Sequence, residues 1–275
     1  MRTTRHTDGP VSIAYDIAGE GPLVVFLHGI GGNRTNWYGQ LEHFSNRFCA
    51  VTWDACGYGA SSDPPQTLKF SDFADDLRRL LDHLKAERAH LVGLSMGGMI
   101  VQDFYGRYPE RVATLALVDT SSGFGGTPEE VRRDFLARRL DPLEKGLTPA
   151  DIAPGVVEVL VGKAASAAVR EQMRASMAAL RTECYKQALH AITTTDFRAV
   201  LPKITVPTLV IVGEEDIVTP PSASEFLAKN IAGASLFRIP GAGHLTNIEK
   251  PAVFNAALGT FLDQHAQRAS VVSMT

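Results

Sequence analysis

The sequence predicts an α/β protein built on a mainly parallel sheet with helices on both faces. Three observations lead there. Short apolar runs alternate with amphipathic stretches through most of the 275 residues. The apolar runs are continuous, as strands covered on both faces require. Two of them end in glycine-rich turns, and one of these opens directly onto a helix-like pattern.

Residues 11–17 alternate apolar and polar side chains and read as a first strand, with Gly19-Glu20-Gly21-Pro22 supplying turn chemistry after it. Residues 23–27 form a continuous apolar strand, and residues 48–53, 90–94, 114–118 and 208–212 repeat that character before a last run at 235–239. The stretches 70–84, 99–108, 222–231 and 251–261 read as amphipathic helices between them. Alternation stops between residues 121 and 200. Thr127-Pro128-Glu129-Glu130, Thr148-Pro149-Ala150-Asp151 and Ser166 mark helix starts there, and no strand pattern appears. Residues 121–199 are therefore expected to be a helical lid inserted into a core of residues 1–120 and 200–275.

Composition narrows the function classes. A chain that is 45% hydrophobic and 21% charged is an ordinary globular protein, and a net charge of −3 argues against a nucleic-acid partner. The N-terminal residues lack an apolar signal core, and no apolar run approaches bilayer length, so a cytoplasmic protein without a membrane partner is expected. Cys49, Cys56 and Cys184 are odd in number and form no CxxC pair, which fits neither a disulfide framework nor a zinc site.

Gly93-Leu94-Ser95-Met96-Gly97 stands between a strand and a helix, where a strained turn would project the serine hydroxyl from the sheet edge. A serine needs a base, and the base needs an orienting acid. His244 follows the last strand in Pro240-Gly241-Ala242-Gly243-His244, and Asp216 follows another in Gly213-Glu214-Glu215-Asp216. Asp119 also follows a strand, but Asp216 lies in the longer loop before a helix and is the better acid; Glu214 and Glu215 read as surface neighbours. The glycine-rich loop His28-Gly29-Ile30-Gly31-Gly32 can turn the amide of Ile30 toward the serine, with the amide of Met96 as a second oxyanion donor. A phosphate loop is excluded because no Lys-Ser/Thr follows, and a dinucleotide loop because Arg34 stands at the third glycine position. No metal and no cofactor is expected.

These motifs, with Asp54-Ala55-Cys56-Gly57-Tyr58-Gly59-Ala60-Ser61, resemble the α/β-hydrolase superfamily. The segments Gly93 to Met99 and Pro240 to Pro251 look most like the 3-oxoadipate enol-lactonase and carboxylesterase group. The resemblance implies an eight-stranded sheet and cofactor-free hydrolysis of a small ester or lactone through an acyl-enzyme, with Ser95, Asp216 and His244 as the catalytic set. A serine at the elbow separates the chain from the dehalogenases and epoxide hydrolases of this fold, which carry aspartate there. C–C bond hydrolases of aromatic ring-cleavage products are the alternative, cofactor-free perhydrolases rank behind them, and a small-molecule receptor on a hydrolase fold is the reading from another class. Trp37, Phe124, Phe135, Met173 and Met177 are the pocket candidates, with Leu136 and Leu180 beside them. Arg132, Arg133, Arg138 and Arg139 read as a solvated helix face rather than a carboxylate site.

Overall fold

In the computed structural model, which describes residues 3–9 and 11–273, the apolar runs pair into one sheet. The elements in chain order are β1 (Thr3–His6), β2 (Ala14–Ala18), β3 (Gly21–Leu27), α1 (Tyr38–Phe44), β4 (Cys49–Trp53), α2 (Phe70–His83), β5 (Ala89–Leu94), α3 (Met96–Arg107) and β6 (Val112–Val118). Then come α4 (Glu129–Glu144), α5 (Pro149–Leu160), α6 (Ala167–Ala178), α7 (Thr182–Thr193), β7 (Thr208–Gly213), α8 (Pro221–Asn230), β8 (Ser235–Ile239), α9 (Thr246–Glu249), α10 (Pro251–His265) and β9 (Val271–Val272).

The strand order is β1-β2-β4-β3-β5-β6-β7-β8, parallel from β4 onward and antiparallel at β1 and β2. These are the eight strands the resemblance implies; the two-residue β9 adds to them by pairing antiparallel with the start of β3. Two details differ from expectation. Gly21 and Pro22 belong to β3, which leaves Gly19 and Glu20 as the link from β2, and the linked strands are not a hairpin. Instead β4 lies between them, with Trp53 opposite Tyr15 and Ala50 beside Val24. In addition, α3 begins at Met96, directly after Ser95.

Alternation along β3 sorts the core onto two faces. Leu23, Val25 and Leu27 pack with Phe73 and Leu77 of α2 and with Ile100 and Phe104 of α3. Val24 and Phe26 pack on the other face with Phe44 of α1 and with Phe254, Leu258 and Leu262 of α10. Each such side chain, fully buried, contributes about 1.5–3 kcal/mol. The three cysteines are free and buried, and burial pushes the Cys49 and Cys56 thiols up to about 12.

The segment between β6 and β7 carries α4 to α7. It leaves and rejoins the sheet through a narrow neck, where Phe124 N donates to Thr195 O (2.7 Å) and Phe197 N to Ser122 O (2.8 Å). Its helix starts are fixed by side chains: Thr148 and Asp151 exchange hydrogen bonds in a capping box, and Ser166 Oγ accepts from Val169 N. Among the described residues no helix is long and apolar enough to cross a membrane.

Candidate active site

Ser95 is the single residue between β5 and α3. Its backbone is left-handed, with φ 55° and ψ −116°, a conformation that a non-glycine residue adopts only under constraint. The constraint is visible: Ser95 N donates to Val118 O (2.9 Å), and Ser95 O accepts from Met99 N (3.2 Å) and Thr120 Oγ1 (2.7 Å). A Cβ at Gly93 would collide with the carbonyl of Gly97, and one at Gly97 with the carbonyl of Leu27. The two glycines of the motif thus let β5, the turn and the end of β3 meet at close range.

Beside the turn, Gly29 packs so tightly that a Cβ there would stand 3.2 Å from the Cβ of Ser95. His28 fixes this loop, since Nδ1–H donates to Gly29 O (2.8 Å) and Nε2 accepts from Ala55 N (3.1 Å). Burial lowers its pKa, so the imidazole is neutral and structural. Further along, Arg34 N donates to Asp54 Oδ1 (2.8 Å) and its guanidinium pairs with Asp54 and with Asp16. Ser61 closes the Asp54 turn by donating to Asp54 O (2.6 Å). Met96 N is the first amide of α3 and so has no intrahelical acceptor.

Asp216 and His244 meet as a buried pair, with His244 Nδ1 2.8 Å from Asp216 Oδ2. The carboxylate also accepts from Val218 N (2.8 Å), Thr219 N (3.0 Å) and Thr219 Oγ1 (2.8 Å). Burial opposes the charge on Asp216, but His244 and the Thr219 donors outweigh it and hold the carboxyl below its usual range. Burial likewise opposes a charged His244; the Asp216 carboxylate and its hydrogen bond, then Asp119 and Glu249, overcome this and raise the pKa. Thr219 is a member of the site that the motifs do not reveal, although Asp-x-x-Thr is itself a turn signature.

Asp119 does not touch His244. It is fully buried at a positive φ of 43° and bridges two loops: Oδ1 accepts from Gly213 N (2.9 Å), and Oδ2 from Thr246 N (3.1 Å) and Thr246 Oγ1 (2.6 Å). Burial and the neighbouring Asp216 push its carboxyl up to about 7. Glu215 is no idle surface residue either, because Oε2 accepts from Lys163 N (2.7 Å). Together with His244 N to Leu160 O (2.7 Å) and Gly162 N to Glu249 Oε2 (2.7 Å), this ties the turn after α5 to both loops.

Ser95 and His244 share the wall of a cavity of about 850 Å³. Of the pocket candidates, Trp37, Phe124, Phe135, Met173 and Met177 line it, as does Ile30 of the glycine-rich loop; Met96 lies buried behind the turn, while Leu136 and Leu180 belong to the core. The arginine expectation needs correction. Arg132 pairs with Glu129, but Arg138 and Arg139 face the cavity, and Arg139 lies 3.9 Å from the Phe135 ring centre while donating to Phe135 O (3.0 Å). A guanidinium that stacks on a ring in this way is half-buried, which periodicity along one helix does not reveal.

A family model described as the alpha/beta hydrolase fold matches residues 22–251, and the chain belongs to that family. Among its relatives, 3-oxoadipate enol-lactonase 2 of Acinetobacter baylyi is 30% identical over 244 residues, covering 86% of this chain and 87% of that protein. A hydrolase from Pseudomonas aeruginosa is similar in structure with a TM-score of 0.84 at 33% identity, covering 95% of this chain and 98% of that one. The enol-lactonase from Burkholderia xenovorans has a TM-score of 0.83 at 27% identity, covering 95% of this chain and 100% of that one.

Proposed function

We propose that the chain is a serine hydrolase that cleaves small carboxylic esters or lactones through an acyl-enzyme on Ser95. The observation that carries this reading is the buried Asp216–His244 pair at 2.8 Å, on the same cavity as a serine held in a strained turn. With Nδ1 engaged by Asp216, Nε2 is the nitrogen that takes the proton of Ser95 as its oxygen attacks the carbonyl carbon. The amides of Ile30 and Met96 receive the oxyanion. His244 returns the proton to the leaving alcohol oxygen, then accepts one from the water that attacks the acyl carbon and passes it to Ser95 Oγ as the acyl–oxygen bond breaks and the acid leaves. Residues 121–199 act as the lid that roofs the cavity. The relatives named as enol-lactonases support an ester-type carbonyl as substrate.

The test is turnover by purified Ser95→Ala on p-nitrophenyl esters, a lactone and a ring-cleavage diketone. Removal of a nucleophile that acts in concert with its base costs on the order of 10⁶ in kcat in an unrelated serine hydrolase. Ester or lactone cleavage is expected in the parent and lost in Ser95→Ala with the fold unchanged. Retention of more than about a tenth of the activity would sink the assignment, and a diketone cleaved about a hundredfold better than any ester would transfer it to C–C hydrolysis.

A further inference from the structure

Large apolar side chains left in water are unremarkable one at a time, but a cluster of them marks a contact surface. Among the described residues, eight large hydrophobics are exposed, and four of these stand on one opening. They are Val131 on α4 (51% exposed), Val159 on α5 (46%), Ile217 in the Asp216 loop (72%) and Phe226 on α8 (41%). The four come from separate elements and converge on the mouth of the cavity that holds Ser95. Inside, Ile30, Phe124, Met173 and Met177 continue the apolar lining toward the serine. Of the charges at the wall, Arg198 pairs with Asp196 (2.7 Å) and Arg139 stacks on Phe135, while Asp134 and Arg138 of α4 add one charge of each sign beside Val131.

The volume points the same way. A cavity of about 850 Å³ has room for about 28 waters at about 30 Å³ each, far more than an acetyl group and a small alcohol displace. Substrate binding that leaves such a lining wet forgoes the favourable transfer of apolar surface out of water.

We infer that the natural substrate carries a long apolar arm, of about eight carbons or more, that runs from the scissile carbonyl at Ser95 to the rim formed by Val131, Val159, Ile217 and Phe226. This rests on the serine-hydrolase reading above and extends it to a substrate class. Ile217 follows the acid of the catalytic pair directly, so the rim and the chemistry share one loop. Each methylene that leaves water for the lining can raise kcat/KM about fourfold, equivalent to about 0.8 kcal/mol.

The experiment measures kcat/KM for two series held below their aggregation limits: p-nitrophenyl esters from acetate to dodecanoate, and acetates from methyl to octyl. Ile217→Asp, Phe226→Asp and Ser95→Ala accompany the parent. The expected result is that one series rises at least about tenfold between its shortest and its eight-carbon members. The ratio of long to short substrate should collapse in both rim variants, with all cleavage dependent on Ser95. A flat or falling profile in both series, while Ser95-dependent cleavage persists, overturns the arm and leaves the serine reading standing. A collapse absent from both rim variants overturns it as well, as does a rise that appears only when phosphatidylcholine vesicles are present, which would make the rim a lipid-docking surface. No cleavage of either series overturns the arm and leaves the serine reading to the lactone assay above, whereas cleavage that survives Ser95→Ala removes both readings.

Discussion

In the mechanism proposed here His244 must be neutral before it can accept a proton, yet it sits among carboxylates that favour its charged form. Burial works against the charge, and Asp216, Asp119 and Glu249 together prevail over it. The consequence for activity has a definite sign. Because only neutral imidazole can take the proton of Ser95, kcat/KM for an uncharged ester should rise with pH. The midpoint of that rise should stand above the ordinary histidine value of about 6.5. Removing a negative neighbour weakens the charged form, so Glu249→Gln should move the midpoint down. A rate that falls between about pH 6 and pH 8 would contradict this assignment of the base. At the same scale His28 is the opposite case: it is buried, neutral and fully hydrogen-bonded, and its work is to hold the loop that presents Ile30.

At the scale of elements, the C-terminal end of β6 holds the site together. Val118 O accepts from Ser95 N, the Asp119 carboxylate joins the loops of Asp216 and His244 through Gly213 and Thr246, and Thr120 Oγ1 donates to Ser95 O. In the proposed mechanism Asp119 is thus a positioning residue, while Asp216 touches the imidazole. Asp216→Asn should lose about 10⁴ in kcat through the wrong histidine tautomer, whereas Asp119→Asn should lose about 10- to 100-fold by displacement of the two loops. Steady-state kinetics of both variants decide the matter, and a larger loss in Asp119→Asn would exchange their roles. Both aspartates follow a strand in the sequence, so both are legible as candidates. The longer loop already favours Asp216; what no local pattern encodes is the strand order that brings β6 beside β7 and so sets Asp119 against Gly213 and Thr246. For similar reasons β1 escapes notice: Thr3-Thr4-Arg5-His6 has no apolar run to reveal an edge strand. The seven-residue α1 is too short to display a clear period.

For the molecule as a whole, the buried central strands are legible because burial on both faces demands unbroken apolar runs, and the elbow is legible because its glycines answer a steric need. The cavity wall is less so, since its residues come from α4, α5, α6 and the core loops and meet only after folding. The helical insertion is joined to the sheet by the neck at Ser122 to Phe124 and Thr195 to Phe197, and stitched at the turn after α5 to the loops of Asp216 and His244. The proposed mechanism turns on a single atom, the Oγ of Ser95. The most direct measurement is therefore covalent: treatment with a serine-directed fluorophosphonate, followed by intact mass and peptide mapping. The account predicts one adduct per chain, carried by Ser95 and absent from Ser95→Ala, with a labelling rate that drops sharply in His244→Ala. An adduct on another residue, or unchanged labelling in His244→Ala, would contradict it.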